Sequence, residues 1–162
     1  MDMKSMEINF SDLFFTCSLI ELIGRLTHQK RAAVVSLMGR KIIAHIYDHA
    51  DVLHCEPIAK TADTFIEMCN IPKGDFDNVA TCKYTVPDYW TIGKVYARFI
   101  QDITEDDVID ALFKAYNSPI SDYISHYNGD FFYQSREYIK ESYFYELDTP
   151  AHIKAGLPLH LP

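Results

Sequence analysis

Apolar residues recur at three- and four-residue steps along nearly the whole chain, the spacing of amphipathic helices. Asn9, Ser11 and Asp12 supply N-capping side chains ahead of an apolar run from Leu13 to Leu26. That run is apolar almost all round, which predicts a helix in the middle of the core. Gly24 within it marks either a close contact or a weakening end. From Lys30 to Leu53, residues Val35, Met38, Ile42, Ile46, Ala50 and Leu53 form one stripe, and Gly39 is expected to break that region into two helices. Pro57 suits a first helical position, followed by a stripe of Ile58, Ala62, Phe65, Ile66 and Cys69. The run Ile71-Pro72-Lys73-Gly74-Asp75 stops that helix.

Residues 74–90 carry the weakest helical pattern. Asp75 to Asn78 reads as a turn, and Thr81 to Val86 alternates in a β-like way, so a small hairpin is expected near 76–86. After Asp88, residues Ile92, Val95, Tyr96, Phe99, Ile100 and Ile103 give the cleanest helical face. Thr104 with Asp107 resembles a capping box opening a helix through Tyr116. Ser118-Pro119 opens another, Asn128-Gly129 is a turn, and Ser135 caps a last helix through Glu146. The tail from Asp148 carries Pro150, Pro158 and Pro162 and reads as an extended segment. The expectation is an all-α bundle of about six or seven helices. A core module would span residues 1–103, and residues 104–162 would form an aromatic-rich extension with a Pro-containing tail packed on it.

Composition changes this picture in three ways. The 162 residues include 15 basic and 23 acidic side chains, a net charge of −8, which disfavours a general nucleic-acid binder and suits a cationic protein partner. No apolar run is long enough to cross a membrane, and Met1 to Glu7 mixes charges without a cleavage site, so neither a membrane span nor a secretory leader is expected. Four scattered cysteines without a Cys-x-x-Cys pair point to small buried thiols in a reducing, cytoplasmic setting.

Half of the aromatic residues lie between Phe113 and Tyr145, including the triplets Phe131-Phe132-Tyr133 and Tyr143-Phe144-Tyr145. The triplets do not fit a single helical stripe. Because Tyr and Phe concentrate at binding hot spots, these six residues are the candidate partner contacts.

Candidate chemistry is sparse. His45 and His49 stand one helical turn apart, a spacing that suits a metal, yet no third ligand is fixed by spacing. Both fall opposite the Ile42/Ile46 stripe, on the polar face. Arg40 and His45 form an Arg-x4-His pair, the signature of HEPN ribonucleases, which are helical dimers. There the Arg would stabilise a phosphorane and the His would move a proton. On that reading the chain would be a homodimeric RNase, although Lys41 replaces the polar residue usual after the Arg. Nucleophile elbows, phosphate loops and dinucleotide fingerprints are absent, so no cofactor is expected.

The segments Ser-Asp-Leu-Phe-Phe-Thr-Cys-Ser-Leu-Ile-Glu-Leu-Ile-Gly-Arg, Ile-Tyr-Asp-His-Ala-Asp-Val-Leu-His-Cys, Gly-Asp-Phe-Asp-Asn-Val, Cys-Lys-Tyr-Thr-Val-Pro and Ile-Gly-Lys-Val-Tyr lie between residues 11 and 99. They resemble an uncharacterised family of small bacterial proteins encoded beside predicted ADP-ribosyltransferase-like toxins. The resemblance implies a toxin–antitoxin setting and transfers no catalytic residues. Three functions follow as expectations. The first is a non-enzymatic protein-binding module, antitoxin-like or accessory to a toxin. The second is a HEPN-like ribonuclease on Arg40 and His45. The third is an acidic phage-type inhibitor mimicking nucleic acid, which would need clustered carboxylates where the sequence disperses them.

Overall fold

The computed structural model describes residues 7–149. Its helices are α1 (Phe10–Thr27), α2 (Arg31–Asp48), α3 (Ala50–Leu53), α4 (Ile58–Met68), α5 (Tyr89–Ile103), α6 (Val108–Tyr116), α7 (Pro119–Ser125) and α8 (Arg136–Asp148). A single 3₁₀ turn, Phe131–Tyr133, precedes α8. The described residues form an all-α bundle without strands.

Helix α1 starts where Asn9 accepts a bond from the Asp12 amide at 3.0 Å. It runs through the centre of the core, packed on α5, α2 and α4. Leu13, Cys17, Leu19, Ile20 and Ile23 are all fully buried, as an all-round apolar helix requires. The Tyr47 hydroxyl near the end of α2 accepts a bond from the Asn9 amide at 2.9 Å, closing the antiparallel pair.

Two glycines set the helix spacings. A Cβ at Gly93 on α5 would lie 2.1 Å from Ser18 Oγ and 2.7 Å from Ser18 Cα, so α1 and α5 touch nearly backbone to backbone. A Cβ at Gly24 would lie 2.4 Å from Arg31 Cδ, so Gly24 makes room for the Arg31 side chain.

Several sequence boundaries shift. Gly39 does leave helical geometry, at φ 81° and ψ 162°, and kinks α2. Two helical stretches therefore meet at Gly39, as the sequence predicts, and the second runs to Asp48, before the short α3. Thr104 does not open α6. It closes α5, while Asp107 caps α6 by accepting from the Ile109 amide at 2.8 Å. The earlier Thr is one loop too soon because residues 104–107 bridge the two helices. Pro57 stands just outside α4, as its N-cap. Ser118 and Pro119 open α7, and the Ser135 side chain caps α8.

The hairpin expected near 76–86 is replaced by turns. Asp77 organises them, its carboxylate accepting from the Ala80 amide at 3.0 Å and its carbonyl from Thr81 Oγ1 at 3.1 Å. Side chains and loop carbonyls satisfy this backbone, so no ladder partner is needed.

Candidate functional site

An opening of the described surface lies between α5 and the start of α8, a cavity of about 550 Å³. Helical spacing builds one wall, since Trp90, Thr91, Lys94, Val95 and Arg98 share a face of α5. Phe14 of α1 closes the floor, its ring 5.6 Å edge-to-face from Trp90. Phe132 and Tyr133 form the opposite lip, with rings 4.9 Å apart.

Polar contacts fix that lip. Arg136, the first residue of α8, bonds both Asp102 oxygens at 3.0 and 2.7 Å and Gln101 at 3.0 Å. This bidentate pair staples the start of α8 to the end of α5. Asp88 is occupied as the cap of α5, accepting from the Thr91 amide at 2.7 Å. Lys94 lies 5.6 Å over the Phe14 ring, a cation–π contact. Lys94 and Arg98 have no carboxylate partner among the described residues.

The Phe132–Tyr133 lip also borders a second depression, of about 500 Å³, with Tyr84, Asn128 and Asp130. Tyr84 and Tyr133 are 71% and 67% exposed, so two large aromatic faces stand in water beside adjoining hollows.

The other predicted contacts divide. Phe131 is core, edge-to-face with Tyr123 at 5.4 Å and Tyr138 at 5.8 Å. Tyr143 is core as well, against Phe99 at 5.4 Å. Neither offers surface to a partner, which corrects that part of the contact set. Three successive residues spread around their element, and Phe131 and Tyr143 are the ones that face the bundle. Phe144 is exposed and Tyr145 half-buried, both on α8 away from the cleft. The Pro-containing tail lies outside the described residues.

Within one chain, a five-residue step turns an α-helix by about 140°, which sets Arg40 and His45 on different sides of α2. The Arg40 guanidinium instead bridges Asp107 and Asp110 of α6. His45 and His49 stack at 4.3 Å on the exposed face, and His49 Nδ1 is 2.9 Å from the His45 carbonyl oxygen. Among the described residues no group of three or more His, Cys, Asp or Glu is placed to hold a metal. The cysteines are free. Cys17 is buried and its thiol is pushed up to about 12 by burial, whereas Cys55 is exposed, against the expectation of buried thiols throughout.

Sequence patterning missed a buried polar assembly around Glu21 and Arg31. Glu21 and Arg31 are fully buried and paired, Arg31 Nε to Oε1 at 2.9 Å and Nη2 to Oε2 at 3.0 Å. Arg25 Nε donates to Glu21 Oε2 at 2.8 Å, and the Tyr127 hydroxyl also donates to that oxygen. Asn78 accepts from Arg31 at 3.0 Å and donates to the Ser125 carbonyl at 3.0 Å. Arg25 also donates to the Pro87 carbonyl at 2.6 Å, just ahead of the α5 cap.

Burial opposes the charge on Glu21, but Arg31 and Arg25 outweigh it and hold the carboxyl below its usual range. Burial and the Glu21 charge push the Tyr127 phenol up to about 12. The one available signal was a lone Glu inside an all-apolar helix, which demands a buried partner. Every charge in this knot is satisfied, so it acts as a clasp that places the start of α5, and with it Trp90.

No protein-family model matches the chain, and no curated protein or solved structure shows significant similarity to it.

Proposed function

We propose that this chain is a non-enzymatic protein-binding module, an antitoxin-like or accessory partner of a bacterial toxin, and that the aromatic cleft is its contact site. The observation that carries the proposal is the gathering of Phe14, Trp90, Phe132 and Tyr133, from three separate elements, around one opening. Aromatic side chains beside Arg, held on rigid elements, are the composition of a binding hot spot. The cleft lining offers no His or Cys, and its one carboxylate caps a helix. The net charge of −8 would speed encounter with a cationic partner. The sequence resemblance supplies the toxin setting.

Arg40 supports the binding reading over RNA cleavage, because both of its partners are carboxylates that a phosphate would have to displace. The acidic-mimic reading gains little from carboxylates such as Asp102, Asp107 and Asp110, which are neutralised by arginines.

Co-expression with the neighbouring toxin tests the proposal. The expected result is a complex that co-purifies and rescues growth. The variant Trp90→Ala/Tyr133→Asp, folded by circular dichroism, should bind at least about tenfold more weakly. Failure of the wild type to form a complex or rescue growth would overturn it. So would wild-type cleavage of single-stranded RNA that His45→Ala abolishes.

A further inference from the structure

The cleft carries a charge opposite to that of the molecule around it. The chain as a whole holds a net −8, yet Lys94, Arg98 and Arg136 all line this one opening. Asp102 is spent on Arg136, and the one carboxylate of the lining, Asp88, uses an oxygen to cap α5 and leaves the three cations in excess. Lys94 and Arg98 sit one helical turn apart on α5, both exposed and both without a carboxylate partner among the described residues. Beneath them lies an apolar floor of Phe14, Trp90 and Val95.

We infer that the cleft takes an acidic peptide segment of the partner protein, with an aliphatic or aromatic side chain inserted against Trp90 and Asp or Glu side chains flanking it at Lys94 and Arg98. This rests on the protein-binding reading and names the chemistry of what is bound. Charge complementarity over an apolar floor supports this assignment. Two cations at one rim without a carboxylate partner among the described residues favour anions there, and an apolar hollow of about 550 Å³ favours burying a side chain below them. Arginine suits this role because its planar fork bonds a carboxylate through two donors. Long-range attraction and local grip then divide the work. The anionic body draws in a cationic partner, and the cationic cleft selects an acidic stretch on it.

The chain has a single tryptophan, Trp90, so its fluorescence reports on the cleft alone. A random peptide library displayed on phage, panned on the purified full-length protein, tests the inference. The expected winners carry Asp or Glu beside Leu, Ile or Phe, and as synthetic peptides they shift Trp90 emission. Their affinity should fall about tenfold in Lys94→Glu/Arg98→Glu, and should weaken steadily with added salt. Both substituted side chains are exposed, and unchanged circular dichroism and melting would show that the fold survives.

Several outcomes overturn the inference. They are no enrichment, basic or uncharged winners, binding that leaves Trp90 silent, or equal binding by the charge-reversed variant. Tighter binding of polyuridylate than of any acidic peptide would also overturn it, assigning the cations to nucleic acid. The two readings separate cleanly. A toxin complex that forms equally well with Lys94→Glu/Arg98→Glu keeps the module a protein binder and discards the acidic segment. Acidic peptides that bind at Trp90 without any toxin complex do the reverse.

Discussion

Glu21 stands in a bundle core with no exposure to water, and four donors from Arg31, Arg25 and Tyr127 close on its two oxygens. Taking a carboxylate out of water costs several kcal/mol, so such a group persists only where partners meet it fully. Its carboxyl is held below the usual range by Arg31 and Arg25 against the pull of burial. The sign of the pH effect follows. The unfolded chain takes up this proton near pH ~4, and the folded chain only at lower pH. The stabilisation is therefore complete at neutral pH and is lost as pH falls through the folded value. Glu21→Gln removes the charge while Arg31 and Arg25 stay in place. It should cost about 3–5 kcal/mol at pH 7, and it should flatten the fall of Tm with pH below about pH 4. Thermal melts of both proteins across that range check it. A variant melting like the wild type at pH 7 would show that the pair contributes little.

Helices here are spaced by the residues at their crossings. The α1–α5 contact depends on Gly93, where any side chain meets Ser18 backbone. Backbone cannot swing aside as the end of a long side chain can. Gly93→Ala should therefore push α5 outward and cost about 3 kcal/mol, a fall in Tm on the order of 10 °C. Gly93→Ala with Ser18→Ala should recover only part, because Ser18 Cα remains 2.7 Å from the new Cβ. Full recovery would show that the clash is with the hydroxyl alone. The element boundaries teach a related point. Caps such as Asn9 and Ser135 were legible because an N-cap needs only a local oxygen and a nearby amide. Between Thr104 and Asp107 two residues offered the same chemistry, and α6 begins at Asp107, whose other oxygen also meets Arg40 of α2. A distant helix is part of that local arrangement.

Across the whole molecule, the polar knot joins parts of the chain that secondary structure leaves apart. It fastens α1 and α2 to the loop ahead of α5 and to Tyr127 beyond α7. The loop has further ties, from the Gly74 amide to the Thr27 carbonyl at 2.8 Å and from the Phe76 amide to the His28 carbonyl at 2.9 Å. Asn78 links this loop to Arg31 and to Ser125 at once. Asn78→Ala should cost about 1–3 kcal/mol, because it strands buried donors and acceptors. It should raise hydrogen exchange at Gly74 and Phe76 well before exchange rises in α1 or α5. Uniform acceleration throughout the bundle would mean that the loop and the helices open as one unit. The cleft belongs to this scale too. Phe14, Trp90 and Phe132 are far apart in sequence and meet only because α1, α5 and the 3₁₀ turn converge.

The all-helical class, most helix positions and the central place of α1 follow from periodicity, since each helix must bury its own apolar face whatever its neighbours do. The aromatic triplets were visible as a composition, and Phe132 and Tyr133 do border the cleft. Which ring of each triplet turns inward was not visible, because burial depends on the layer each element meets. The turns at 76–86 read as strand because short β-like alternation and a loop tied down by side chains look alike along one dimension. The Glu21 knot and the cation-rimmed cleft depend on residues tens of positions apart, brought together by helix packing. Periodicity is a property of one segment, whereas charge pairing and cavities belong to the space between segments, and the tertiary structure alone decides them.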